Sequence, residues 1–234
     1  MAGKYDRGRE VTRIEAFVDA AFAFAVTLLV ISFNAMPDSA QALVEALKGV
    51  PAFAASFSLL AMLWWQHADW SRRYGLDDGR SVLLSLLLVF LVLVYVYPLR
   101  IIFTAFFGWV THGWLPMGIV INGARDLQLM FLAYAVAWTT LGFVVVALYL
   151  HAWRNREALG LDRDERIELR GAIAAQWMIP ATGILAVLVV AACALIGQPG
   201  LSGFSGFAYS LMALTGIAVA RARRRAEREE DAAR

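Results

Sequence analysis

Six runs of apolar residues, each long enough to cross a bilayer as a helix, constrain this chain more than any other feature. A hydrocarbon core of ~30 Å takes about 20 helical residues. The runs lie roughly at Ile14–Ala35, Val50–Trp70, Val82–Phe106, Leu127–Trp153, Ala172–Ile196 and Phe204–Ala220. Only 17% of the 234 residues are charged and 60% are hydrophobic, whereas soluble domains carry about 25% charged residues. So much apolar surface needs a solvent other than water. The expected fold is all-α, an integral membrane bundle of six helices. Residues 1–220 form one transmembrane domain and 221–234 a helical tail. The first run carries Asp19 inside it and no small-x-small site after it, so it reads as a retained span rather than a secretory signal.

The basic residues orient the spans. With both termini in the cytoplasm, 18 of the 21 Lys and Arg residues fall inside, leaving Lys48, Arg100 and Arg125 outside. That asymmetry is the positive-inside pattern, and an odd number of crossings would destroy it. A multi-pass protein of the bacterial inner membrane is expected. Trp64, Trp65, Trp70, Trp153 and Trp177 fall at inner boundaries, with Trp109 and Trp114 at the outer one, where amphipathic rings anchor helices. Pro98 is expected to kink the third span. The Gly-rich stretch 107–123 is expected to lie in or dip into the outer interface. In the tail, the spacing predicts Arg223–Glu227 and Arg225–Glu229 pairs, and its basic cluster is suited to anionic lipid.

Several function classes drop out. Cys193 is alone, and His67, His112 and His151 lie in three separate segments without ligand spacing, so neither a metal site nor a cofactor is expected. No catalytic nucleophile or phosphate-binding loop is visible, which argues against an enzyme. The formal charge of +2 gives no field for nucleic acid.

Polar chemistry concentrates in the first span. Ala20, Phe24, Thr27, Ile31 and Asn34 share a stripe ~80° wide at 100° per residue. Two readings stay open on periodicity alone. The stripe is either a helix–helix seam, where small residues allow close approach, or a pore-lining face with a hydroxyl ring between apolar rings. The opposite side, Val18, Phe22, Leu29 and Phe33, is apolar and suits lipid or helix packing. Asp19 lies off the stripe and points toward neighbouring helices. A contact from Asp19 to His67, with Arg13 nearby, would offset the cost of burying each group.

Arg13, Phe17 and Asp19 together resemble the Arg-x-x-x-Phe-Ser-Asp opening of the bacterial relatives of the endosomal and lysosomal transmembrane potassium channel. Trp64, Trp65 and His67 after Ser56-Phe57 are similar to the aromatic-then-His end of that family's second helix. Leu83 to Pro98 resembles its Leu-rich third helix. The resemblance implies a homotetramer around a cation pore, with potassium as the permeant ion and four first helices lining the axis. Carried over, it puts the hydrophobic constriction at Phe24 and a threonine ring at Thr27. Ala20, Ile31 and Asn34 complete the lining. Arg13, Phe17, Asp19, Trp64, His67 and Ser85 form an inner polar network. The expected partners are further copies of the same chain and membrane lipid.

The chain departs from that pattern in three places. Val18 stands for the signature serine, Ser85 for a frequent asparagine, and Phe24 for an aliphatic ring. Four phenyl rings either block the axis or offer their faces to a cation. A ring without oxygen gates by dewetting. A secondary transporter, or a non-conducting membrane assembly, is the alternative reading.

Overall fold

A computed structural model describes residues 7–8, 10–31 and 37–232. Helix α1 (Arg13–Ile31) opens on a capping box. Glu15 N–H donates to Thr12 Oγ1 at 3.2 Å and Thr12 N–H donates to Glu15 Oε2 at 2.9 Å. The short α2 (Ala40–Leu47) is capped by Ser39 and precedes α3 (Val50–Tyr74), bent by 42° from it across a two-residue break. Asp78 caps α4 (Gly79–Val110), which runs unbroken through Pro98. Two long helices follow, α5 (Ala124–Arg154) and α6 (Arg163–Leu195). The chain then rises as a 16-residue 3₁₀ segment (Pro199–Leu214) that passes directly into α7 (Thr215–Ala232).

The predicted crossings survive with adjusted ends. Among the described residues, five helices are long and apolar enough to cross a membrane, the 3₁₀ segment and α7 counting together, and the bent α2–α3 pair makes up to six. At 31–33 residues, α4, α5 and α6 exceed the ~20 residues of the hydrocarbon core, so their polar ends project beyond it. The sixth crossing differs most from expectation. Its first half is wound as 3₁₀, a geometry rarely sustained beyond one turn or so.

One apolar core joins α1, α3, α4, α5 and, through Leu169, the start of α6. It packs Val18, Phe22 and Leu29 of α1 with Leu60, Leu63 and Trp70 of α3, Leu88, Val92 and Val96 of α4, and Leu141, Val145 and Leu148 of α5. A second, small seam of Ala135, Ala186 and Ala208 lets α5, α6 and the 3₁₀ segment approach closely. Glycine serves the same end at Gly142 on α5, where a Cβ would sit 2.7 Å from Ile179 Cγ2 and Pro180 Cδ of α6. Trp70 corrects the reading of inner tryptophans as interface anchors. It is 1% exposed, and its indole donates to the Leu148 carbonyl at 2.9 Å, so it belongs to the core. Trp153 behaves as an anchor does, with the guanidinium groups of Arg156 and Arg170 at 4.8 and 4.5 Å from its ring.

Ion pairs gather the arginine-rich connections at one end of the bundle. Ahead of α1, Arg7 grips Glu165 of α6 with both terminal nitrogens at 2.6 and 2.8 Å, and its Nε donates to the Leu159 carbonyl. Its guanidinium pKa is raised, first by the hydrogen bond to Glu165, even though partial burial opposes the charge. Arg163, Arg166 and Arg170 of α6 meet Asp231, Glu230 and Glu229 of α7 in antiparallel order. The segment before α1 and the far end of α7 therefore lie at the same end. The tail prediction needs correcting here, because Glu229 reaches across to Arg170 at 2.9 Å instead of back to Arg225. A neighbouring helix supplies a cation on the side where the tail alone offers only water. At the opposite end, the stretch after α4 folds back onto it, with Leu115 buried and His112 at φ 52°.

Candidate functional site

The exposed flank of α1 is the site that the sequence singled out. The periodicity that buries Val18, Phe22, Ala25 and Leu29 against α3 and α4 turns Ala20, Phe24, Thr27 and Ile31 outward. Phe24 is 55% and Ile31 67% exposed. The stripe is thus not a seam within the protomer, where the open alternative had placed it. What it faces lies outside a single chain. Asn34 falls outside the described residues. The Thr27 hydroxyl donates to the Ala23 carbonyl at 3.0 Å, which commits its hydrogen to the helix and leaves its lone pairs facing outward.

The expected inner polar network separates into two pairs. Trp64 on α3 donates its indole N–H to Asp19 Oδ1 at 2.7 Å, on the exposed side. His67, one turn further along α3, shares a hydrogen bond of 2.9 Å with Ser85 of α4, and both residues are buried. The anticipated Asp19–His67 contact is therefore replaced. Ser85 sits opposite His67 in the core, and the nearer indole takes the carboxylate. Phe17 is exposed and so is Arg13, which forms no ion pair with Asp19 among the described residues. The small hydroxyl of Ser85, which the sequence marks as a weaker group than asparagine, partners Nε2 of the imidazole.

Two polar links at the arginine-rich end escaped the sequence reading. One is Arg7–Glu165, bidentate and half-hidden, for which Asp162-x-x-Glu165 at the start of α6 was the available signal as a capping box. The other is His151 Nε2 to Asp78 Oδ2 at 2.7 Å, joining the last turn of α5 to the cap of α4. Partial burial would by itself raise the Asp78 carboxyl pKa. The Ser81 amide and His151 outweigh that and hold it below the usual carboxylate value. Neither link is predictable by helical spacing, because each joins residues more than 70 positions apart.

Among the described residues no group of three His, Cys, Asp or Glu is placed to hold a metal. A bundle of apolar helices with most of its ionisable groups at one end, and one mixed polar and apolar flank left uncovered, defines a multi-pass membrane protein. The comparisons narrow that class. Residues 13–98 match the model of the family described as the endosomal/lysosomal potassium channel TMEM175. A protein of Marivirga tractuosa named "Potassium channel" is 31% identical over 216 residues, covering 87% of this chain and 85% of that one. A crystal structure of a variant of the potassium channel MtTMEM175, in complex with a nanobody–MBP fusion protein, superposes with a TM-score of 0.79. It is 27% identical and covers 94% of this chain and 97% of that one. The chain belongs to the TMEM175 family of cation channels, which are not enzymes.

Proposed function

We propose that this chain assembles as a homotetramer around a potassium-conducting pore, with one α1 helix from each subunit facing the axis. The observation that supports this most directly is the outward exposure of Ala20, Phe24, Thr27 and Ile31, while the opposite face of the same helix is buried in its own protomer. One helix per chain makes only part of a pore wall, so several copies are needed to close it. Phe24 forms the constriction and Thr27 presents hydroxyl oxygens beyond it. Oxygen coordination of a partly dehydrated cation comes from Thr27, from Asn34 at the outer mouth, and from retained water, since a phenyl ring offers only its face. The names of the relatives support potassium as the ion. In this reading both termini are cytoplasmic, residues 1–220 are the transmembrane domain and 221–234 a cytoplasmic tail. Arg13, Phe17 and the two pairs Asp19–Trp64 and His67–Ser85 fix the angle at which α1 meets the axis.

The test is flux of potassium, sodium and caesium into proteoliposomes, with subunit number measured on the same preparation. Phe24→Ala should raise flux several-fold and flatten the differences among the ions. Unchanged flux for all three would place Phe24 away from the conduction path. A particle other than a tetramer would overturn the assembly.

A further inference from the structure

A cavity of about 300 Å³ opens between α4 and α5 at the arginine-rich end, remote from the α1 flank. Its lining divides cleanly. Arg80, Arg154 and the buried His151 lie toward the helix ends, and Leu83, Leu84, Ala147 and Leu150 continue along the two helices away from those ends. Arg80 belongs to the first turn of α4 and Arg154 is the last residue of α5, so both lie at the ends of helices long enough to cross a membrane. Both residues are exposed, and neither forms an ion pair with a carboxylate among the described residues. Asp78 beside them accepts from His151 and from the Arg80 and Ser81 amides, and bonds to neither guanidinium group. Asp77 is also in this connection and is exposed.

We infer that this cavity is a binding site for an anionic phospholipid, whose phosphate is held between Arg80 and Arg154 and whose acyl chain lies along Leu83, Leu84, Ala147 and Leu150. Charge and shape both favour that occupant. Arginine forks match phosphate oxygens. Basic pockets between membrane helices at the headgroup level suit anionic lipid. A soluble anion would leave the leucine-lined half in contact with water, and a zwitterionic lipid would bring its own cation against the arginines. The inference does not depend on α1 lining a pore, because its readout is lipid retention.

The full-length protein is purified in neutral detergent and titrated with phosphatidylglycerol or phosphatidylcholine, following retained lipid by native mass spectrometry and thermal stability in parallel. Phosphatidylglycerol should be retained and raise the melting temperature, and phosphatidylcholine should do neither. Arg80→Gln with Arg154→Gln should weaken phosphatidylglycerol retention by roughly 30-fold, from about a factor of five for each charge. Ala147→Leu, which fills the apolar half and keeps both arginines, should also weaken it. Arg72→Gln at the end of α3, which removes one exposed charge elsewhere at the same end, should leave retention unchanged. Equal retention in wild type and the double variant would overturn the site. So would equal stabilisation by inorganic phosphate, which would make it a soluble-anion site. A changed subunit number with unchanged lipid retention would assign the face to a second copy of the chain.

Discussion

The indole of Trp64 donates to the carboxylate of Asp19 at 2.7 Å, fastening α3 to α1 a little over one turn before Phe24. Hydrogen bonds to a charged acceptor are among the stronger ones. This bond fixes how far α1 can rotate about its own axis, and therefore where the exposed stripe points. Trp64→Phe keeps an aromatic side chain and removes the donor together with the pyrrole half of the indole. Because Asp19 is exposed in the protomer, a loss of about 1 kcal/mol is expected, seen as a melting temperature lower by a few degrees in detergent. Flux should fall with the ion ratios unchanged. A variant with altered ratios and normal stability would mean that Asp19 acts on the ion directly.

Thr27 gives a sharper test of the stripe. Thr27→Val preserves shape and removes the oxygen, while Thr27→Ser preserves the oxygen and its bond to the Ala23 carbonyl. The valine variant should lose several-fold in potassium flux, and the serine variant should stay close to wild type. Equal behaviour of the two would show that the hydroxyl does not meet the ion.

Arg7 holds the segment ahead of α1 against α6. Glu165 is 8% exposed, so removing its partner strands a carboxylate in poor solvent. Arg7 itself reaches water, which reduces the penalty. Arg7→Ala should cost about 2–3 kcal/mol. Arg7→Lys should recover only part of it, since a lysine cannot make the bidentate bond and the contact with Leu159 together. Chemical or thermal unfolding of the two variants checks both the size and the order.

The Asp78–His151 link carries a pH signature. The folded Asp78 pKa lies below its ordinary value, because the Ser81 amide and His151 overcome the opposing effect of burial. A carboxyl shifted downward in the folded state stabilises it above the unfolded pKa, and that stabilisation disappears as pH falls through the lower folded value. Asp78→Asn should therefore melt below wild type at neutral pH, with the gap closing under acid conditions. A gap that is constant with pH would show that the folded Asp78 carboxyl is not held below its ordinary value.

The degree to which this molecule can be read without coordinates follows the range of the forces involved. Span positions were legible because burying some 20 consecutive apolar residues in lipid is a local property, and α3 and α5 fall within a few residues of the expected runs. The face of α1 was legible too, since a 3.6-residue period sorts Val18, Phe22 and Leu29 from Phe24 and Thr27 whatever the neighbours are. Trp70 shows where that logic stops. A tryptophan near a span end suits the interface by composition, but a carbonyl of α5 and a well-filled core were waiting for it.

The sequence by itself determined that this chain lives in a membrane, where its apolar spans lie, and which side of α1 carries polar groups, because hydrophobic burial and helical periodicity act residue by residue. Only the tertiary structure decided that Asp19 answers to Trp64, His67 to Ser85 and Glu229 to Arg170. Hydrogen bonds and ion pairs form within about 3–4 Å, and which groups come that close is set by the packing of helices far apart in the chain.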